Sequence, residues 1–182
     1  MAAHQVMTQG DSQTQFLFLL NEHRKIVYKV AATYCANAED RRDLAQEICT
    51  QLWRAFPKYD ANRRFSTWMY RIALNVAISF LRRTGEYVRH TQTLDEDWLQ
   101  ELPASTGDDA DERVALLRRF IGSLDDLNRA LMLLYLDEHS YREIADVLGI
   151  TETNVATKLN RLKQRIRDGL ADAGTADQRE EN

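Results

Sequence analysis

Phe65 to Arg83 reads FSTWMYRIALNVAISFLRR. From Trp68 onward nearly every residue is apolar, and the exceptions, Arg71, Asn75, Ser79, Arg82 and Arg83, fall at helical intervals. That spacing predicts a helix buried on most sides, with one narrow polar stripe. Ser66 is the expected N-cap, its hydroxyl accepting from an amide of the first turn. Just ahead, Tyr59, Arg63, Arg64 and Phe65 mix cations with aromatic rings. Rings to stack on beside cations to neutralise phosphate suit unpaired nucleic acid. A core helix with a solvated edge would produce the same pattern, so the neighbouring segments must decide between the two.

Upstream, Met1 to about Gln13 is polar and without period, which reads as a frayed end. Phe16, Leu19, Leu20, His23, Val27, Val30 and Tyr34 then recur at helical spacing and predict one long amphipathic helix. His23 on that face reads as a packed histidine. Asn37 to Arg42 reads as a polar turn. The next helix is expected to start at Asp43, with Gln46 completing a capping pair. Its apolar stripe is Leu44, Ile48, Leu52 and Phe56, and Pro57 ends it. Its opposite face carries Gln46, Glu47, Thr50, Gln51 and Arg54, and by default such a face is simply solvated.

Charge separates the regions more sharply than the formal net charge of -4 suggests. Residues 16–83 hold twelve cations against six acids, and residues 84–112 one against nine. Residues 113–170 return to ten against eight, and 171–182 hold one against four. Two relatively basic blocks thus flank an acidic linker, and partners respond to such asymmetry rather than to the total. The linker also holds Pro103 and a Ser-Thr-Gly-Asp-Asp run, with Leu94, Trp98, Leu99 and Leu102 as one short amphipathic turn or docking segment.

The clearest local signal lies beyond it. A helix with Val114, Leu117, Phe120 and Ile121 apolar is broken at Gly122 and Ser123, and Leu127, Ala130, Leu131, Leu133 and Leu134 carry the next. Ser140 and Glu143 then form a capping box, with Ile144, Ala145 and Leu148 inward. Gly149 supplies the left-handed residue of a sharp turn. Thr151 caps a last helix to about Leu170, with Val155, Leu159, Leu162 and Ile166 inward. Short helix, glycine turn and longer basic helix spell a helix-turn-helix. The second helix offers Thr151, Glu152, Thr153, Asn154, Thr157, Lys158 and Arg161, side-chain types that match base edges in the major groove. Lys163, Arg165 and Arg167 extend the charge along the backbone path.

The expected fold class is therefore all-α. A flexible N-terminus over 1–15 precedes a helical domain over 16–83 and an acidic linker over 84–110. A helix-turn-helix domain follows over 111–170, then an acidic tail over 171–182. Cys35 and Cys49 lack metal-ligand spacing and read as buried free thiols. Histidines at 4, 23, 90 and 139 have no evident catalytic partner, and no phosphate loop or hydrolase signature is present. No enzyme activity, cofactor or metal is expected. No apolar run approaches the roughly 20 residues of a membrane span, so a cytoplasmic protein is expected.

Together the two blocks resemble a known family, the bacterial RNA polymerase sigma factors, in particular the extracytoplasmic-function (ECF) group. The residues carrying the resemblance are Asp43-Leu44-Ala45-Gln46-Glu47, Phe65-Ser66-Thr67-Trp68-Met69-Tyr70-Arg71-Ile72-Ala73, Asn75 and Leu81-Arg82-Arg83 in the first block. In the second they are Ser140-Tyr141-Arg142-Glu143-Ile144-Ala145, Leu148-Gly149-Ile150 and Asn154-Val155. The resemblance implies that 16–83 is sigma region two and 111–170 region four, and that the partners are core RNA polymerase, promoter DNA and in some circumstances an anti-sigma factor.

The same resemblance implies that Asp43, Gln46, Glu47, Thr50 and Arg54 dock on the polymerase, replacing the default solvated face. It assigns the opened minus-ten strand, with a flipped base, to Arg63, Arg64, Phe65, Thr67, Trp68, Arg71, Asn75, Arg82 and Arg83. The helix from Thr151 would read the minus-thirty-five duplex. Two positions depart from the family pattern: Asp125 stands where Pro is common, and Ala156 where a polar residue is frequent. The rival reading is a two-module helix-turn-helix regulator that never joins polymerase.

Overall fold

A computed structural model of the chain describes residues 9–84, 117 and 119–180. Among them every regular element is a helix: α1 (Gln9–Glu22), α2 (Arg24–Tyr34), α3 (Ala38–Ala55), α4 (Phe65–Thr84), α5 (Asp126–Leu136), α6 (Tyr141–Leu148) and α7 (Glu152–Glu180). A 3-10 turn, Phe56–Lys58, follows α3, and another helical stretch ends at 122, ahead of α5. The chain divides into two compact units, Met1–Phe80 and Leu81–Asn182. The expected linker, with its segment around Trp98, lies outside the described residues.

In the first unit, α2 packs on α3 through Ile26, Val27, Val30, Ala31 and Tyr34 on one side and Leu44, Ile48 and Leu52 on the other, all buried. Cys35 caps the end of α2, its side chain buried and outside any disulfide. Cys49 is free and half-buried, and burial pushes its thiol pKa up. Helix α4 buries Met69, Tyr70, Ala73, Leu74, Ala77 and Leu81. Its expected stripe, Arg71, Asn75, Ser79, Arg82 and Arg83, is exposed.

Four helix boundaries in this unit differ from expectation. The polar stretch over 9–13 is already helical. The long first helix is two, interrupted at His23 (φ -108°, ψ 13°). His23 nevertheless accepts from Ile26 N–H at 3.0 Å, and its ring lies 5.5 Å from that of Phe65. The apolar positions keep helical spacing across this break, so periodicity alone does not reveal it. Helix α3 begins at Ala38, not Asp43: Asn37 is the cap, accepting from Asp40 N–H at 2.7 Å, and Glu39 and Asp40 complement the positive end of the helix. Ser66 is not the cap of α4. That helix starts at Phe65, and Trp68 N–H donates to the Arg64 carbonyl at 3.2 Å.

A ring cluster closes one end of this unit. Phe16 of α1 lies 5.1 Å from Trp53 of α3 and 5.1 Å from Phe56. Phe56 faces Tyr59, Phe65 and Trp68 at 6.0, 6.4 and 6.4 Å. Phe65 meets Tyr59 at 5.3 Å and Trp68 at 5.2 Å. At 6% exposure Phe65 is core, so in this arrangement it offers no face to a base, contrary to its expected part as a stacking platform. Its neighbours on every side account for the burial.

In the second unit α5 packs on both α6 and α7, and α6 on α7. Asp125, at the position where the family often has Pro, caps α5 by accepting from Asn128 N–H at 3.0 Å. Helix α5 buries Ala130, Leu131, Met132, Leu133 and Leu134 and also a charged residue, Arg129. Its Nη2 donates to the carbonyls of Gly122 at 2.7 Å and Leu124 at 3.0 Å. A cation thereby meets the carbonyl end of the preceding helix, the favourable end for positive charge.

The capping box of α6 forms as expected. Glu143 N–H donates to Ser140 Oγ at 3.2 Å, and Ser140 N–H donates to Glu143 Oε2 at 3.0 Å. Gly149 takes φ 69°, and Ile150 N–H returns to the Ala145 carbonyl at 3.2 Å. Val147, rather than Leu148, is the buried partner of Ile144 and Ala145. Thr151 Oγ1 accepts from Asn154 N–H at 3.2 Å. Helix α7 buries Val155, Leu159 and Leu162 and runs past Leu170 to Glu180, so the backbone of the expected tail continues the helix.

Two stability measurements check this packing. Phe65→Ala should cost about 3–5 kcal/mol, the usual loss for a buried ring, read from the urea midpoint; a loss under about 1 kcal/mol would contradict its place in the core. A Cβ at Gly149 would meet nothing within 4 Å. Gly149→Ala should therefore cost only the left-handed backbone strain, roughly 1–2 kcal/mol. A larger loss would point to a steric clash instead.

Candidate nucleic-acid interface

The first candidate face is built by the loop before α4 and by the polar stripe of that helix. The loop is internally braced. Asp60 accepts at Oδ1 from Asn62 N–H at 3.0 Å and from Asn62 Nδ2 at 2.9 Å, and Arg63 N–H donates to the Asp60 carbonyl at 2.9 Å. Tyr59 Oη donates to the Arg63 carbonyl at 2.6 Å. Burial, and then the Asp60 carboxylate, push the Tyr59 phenol pKa up, which keeps it a neutral donor. Arg63 and Arg64 leave this braced loop into solvent. Thr67 and Trp68 are half-exposed, and Arg71 and Asn75 are exposed further along the same helix.

With Phe65 buried, the rings flanking the loop that keep accessible surface are Tyr59 and Trp68, both half-exposed and 5.1 Å apart; Trp53 of the same cluster is also exposed, on α3. Tyr59, which the sequence already marks as a ring of this loop, is not among the residues that the resemblance assigns to the minus-ten strand, and its exposure beside Trp68 returns it to the candidate face. Arg82 and Arg83 lie at the far end of α4 and are exposed. They lie several helical turns from the loop, so they extend the track rather than join the ring pocket.

The second candidate face is the exposed side of α3. Asp43, Gln46 and Arg54 are exposed, and Glu47 and Thr50 are partly so. These positions recur every three or four residues and share one side of the helix. Glu47 Oε1 accepts from Gln51 Nε2 at 2.9 Å, and Thr50 Oγ1 donates to the Gln46 carbonyl at 2.9 Å. The face is thus pre-shaped by intrahelical bonds and has little apolar content.

The third is the start of α7. Thr151, Glu152, Thr153, Asn154, Thr157 and Arg161 are exposed and Lys158 is half-exposed, while Val155, Leu159 and Leu162 hold the helix to the unit. Thr157 Oγ1 donates to the Thr153 carbonyl at 2.9 Å. Two cations expected further along the backbone path are engaged elsewhere. Lys163 Nζ sits 4.2 Å from the centre of the Tyr135 ring, and the Arg165 guanidinium 5.3 Å from that of Phe120. Among the described residues no group of histidines, cysteines and acids has the arrangement to hold a metal. No helix among them is long and apolar enough to cross a membrane.

Comparison with known proteins accounts for both units. Residues 19–86 match the family model for sigma-70 region 2, and residues 115–166 that for sigma-70 region 4. The chain is 28% identical over 173 residues to the ECF RNA polymerase sigma factor SigW of Bacillus subtilis, covering 90% of this chain and 92% of that one. It is 27% identical over 171 residues to the ECF RNA polymerase sigma-E factor of Escherichia coli, covering 87% of each. Among solved structures it resembles CnrH, seen in complex with the cytosolic domain of CnrY, with a TM-score of 0.63 at 22% identity over 88% of this chain and 90% of that one. It also resembles the sigma factor RpoE of Bartonella quintana, seen with the anti-sigma factor NepR, with a TM-score of 0.60 at 19% identity over 88% and 97%. At those identities the structural likeness is one of fold. Two sigma-70 regions in this order, with full-length ECF relatives, identify the molecule: the chain belongs to the sigma-70 family of RNA polymerase sigma factors, in its ECF group.

Proposed function

We propose that this chain joins core RNA polymerase and directs it to promoters, where it holds the opened minus-ten strand and reads the minus-thirty-five duplex. The observation that carries the reading is the pairing of two sigma regions on one chain with three polar faces that their own cores leave exposed. The chain acts as an initiation factor and contributes no covalent chemistry of its own. RNA synthesis is the work of the polymerase. A protein acting in this way works in the cytoplasm, beside the polymerase and DNA.

The domain plan follows: region two over 16–83, an acidic linker over 84–110, region four over 111–170, and the end segment 171–182. On region two, Asp43, Gln46, Glu47, Thr50 and Arg54 dock on the polymerase. A charged, intrahelically braced surface suits a partner of complementary charge, which gains mainly in specificity and encounter rate. Arg63, Arg64, Thr67, Trp68, Arg71, Asn75, Arg82 and Arg83 follow the displaced strand, with Tyr59 beside Trp68 as a second ring. Phe65 supports this pocket from below. Asn75 carries both donor and acceptor, which suits the edge of an unstacked base. In region four, Thr151, Glu152, Thr153, Asn154, Thr157, Lys158 and Arg161 face the major groove. The solved structures of CnrH and RpoE each hold a second protein, named in one case as an anti-sigma factor. We extend to this chain the proposal that such a partner occludes one of its faces.

Glu47→Lys should abolish association with core polymerase in a pull-down while leaving the helical circular dichroism unchanged, because the position lies outside the buried stripe. Retention of binding by the folded variant would remove α3 as the docking face. Asn75→Ala should leave polymerase and duplex binding near wild type. It should nevertheless lower open-complex yield by about tenfold, within the roughly 1–3 kcal/mol span of one base contact. Permanganate reactivity of promoter thymines measures this on closed and pre-melted templates. Pre-melting should not restore the loss, since the missing contact is to the unpaired base itself. Failure of the wild-type chain to open any promoter with core polymerase would favour a regulator that works apart from it.

A further inference from the structure

Lys163 lies on α7 two turns beyond Asn154 and Thr157, where a cation would ordinarily be read as a phosphate contact. Its side chain is half-buried, and its ammonium sits over the Tyr135 ring at 4.2 Å. Tyr135 belongs to the last turn of α5. The Tyr135 hydroxyl is the main influence holding the ammonium pKa above its usual value; burial opposes it, and Tyr141 adds a lesser upward push. One side chain of α7 therefore reaches across to the end of α5.

The location matters for how α7 is aimed. The α5–α6 junction is short and unusual. Glu138 takes φ 61°, and His139 N–H returns to the Leu134 carbonyl at 3.1 Å, so this turn has a defined left-handed geometry. A second cation of α7, Arg165, lies 5.3 Å from the Phe120 ring ahead of α5. Cations held over ring faces are attracted by the ring quadrupole, more so when partly desolvated. A small tilt of α7 about its buried residues would displace Asn154 and Arg161 from any base edge, and hydrogen-bond readout is steeply geometric.

From this geometry we infer that Lys163 is a positioning residue for duplex reading: it clasps α7 to Tyr135 at the end of α5 and sets the approach of the reading residues, rather than neutralising a phosphate. The inference rests on the reading of α7 as the duplex-reading helix. It goes beyond that reading because it withdraws one cation from the electrostatic footprint and gives it a part in specificity.

The test is holoenzyme binding to a duplex that the wild-type holoenzyme selects from a random pool, measured against salt and against a duplex with a scrambled upstream element. A phosphate contact contributes a salt slope of about 0.9 per charge, and its loss weakens all sequences alike. Lys163→Met should instead leave the slope unchanged and cut preference for the selected duplex by about five- to tenfold. Lys163→Arg, which keeps a cation over the ring, should restore it. Tyr135→Leu should produce the same loss, and the double variant Tyr135→Leu, Lys163→Met should be no worse than either alone. Tyr135→Phe, which keeps the ring, provides a milder probe if the larger changes unfold the unit. It should lose part of the preference without altering the slope.

A slope lowered by about one with preference intact would overturn the inference and make Lys163 a phosphate contact. Full additivity of the Tyr135 and Lys163 changes would overturn it as well. A wild-type holoenzyme that selects no upstream sequence, with Arg161→Ala and Lys158→Ala equally silent, would overturn the duplex reading itself. That result is distinct from one in which Arg161→Ala is damaging and Lys163→Met is not, which refutes only the clasp.

Discussion

The packing of His23, Phe56, Tyr59 and Trp68 around Phe65, with Phe16 against Phe56 and Trp53, ties together segments of chain that are otherwise joined only by short turns. α1 brings Phe16, the break after it brings His23, the end of α3 brings Trp53 and Phe56, and α4 begins at Phe65 itself. Each ring gains from desolvation and from edge or tilted ring contacts, about 0.5–1.5 kcal/mol per pair beyond burial. The consequence for function is positional. The loop that presents Arg63 and Arg64 is anchored at one end by Tyr59, against Phe56 and Phe65, and at the other by Phe65. Cations on a braced loop lose less freedom on meeting a polyanion than cations on a slack one.

The second unit solves a similar problem with caps and cations. A helix-turn-helix this small has few apolar residues to fix the angle between its helices. Local devices therefore set its turns: the reciprocal Ser140–Glu143 cap, the left-handed Gly149, the Thr151 cap, and Arg129 over the carbonyls of Gly122 and Leu124. A buried arginine is costly unless its donors are met, and here two carbonyls, at and just beyond the end of the preceding helix, accept from its Nη2. Lys163 and Arg165 add cation-ring contacts along α7. The exposed positions of its first three turns are left for a partner, while Lys163 and Arg165 just beyond them meet rings of the same unit.

The distribution of charge connects these structures to the family. The cation-rich stretch 16–83 lies next to the acid-rich stretch 84–112, although the chain as a whole is acidic. A uniform charge of -4 would oppose DNA at long range. Concentrating cations on the α4 loop and stripe reverses the local sign within a Debye length, about 8–10 Å at physiological salt. The mixed charges of the α3 face suit a protein partner rather than a phosphate backbone.

Much of this was legible in the residues alone, and for physical reasons. The all-α class, the polar stripe of α4, the capping box, the glycine turn and the Thr151 cap are local signals, each written within a few residues of where it acts. The Asn37 cap is legible too, since Asn37 stands three residues ahead of Asp40, although a polar stretch of this kind reads equally well as a turn. Tertiary structure decided what local patterns leave open. It broke the first helix at His23, where spacing continues undisturbed, and it carried α7 past Leu170. It also buried Phe65 within the ring cluster and set Lys163 over the Tyr135 ring. Whether a ring or a cation is available to a ligand depends on what covers it, and the covering residues come from distant parts of the chain. Periodicity records which face of a helix is apolar, and only the folded molecule records what that face meets.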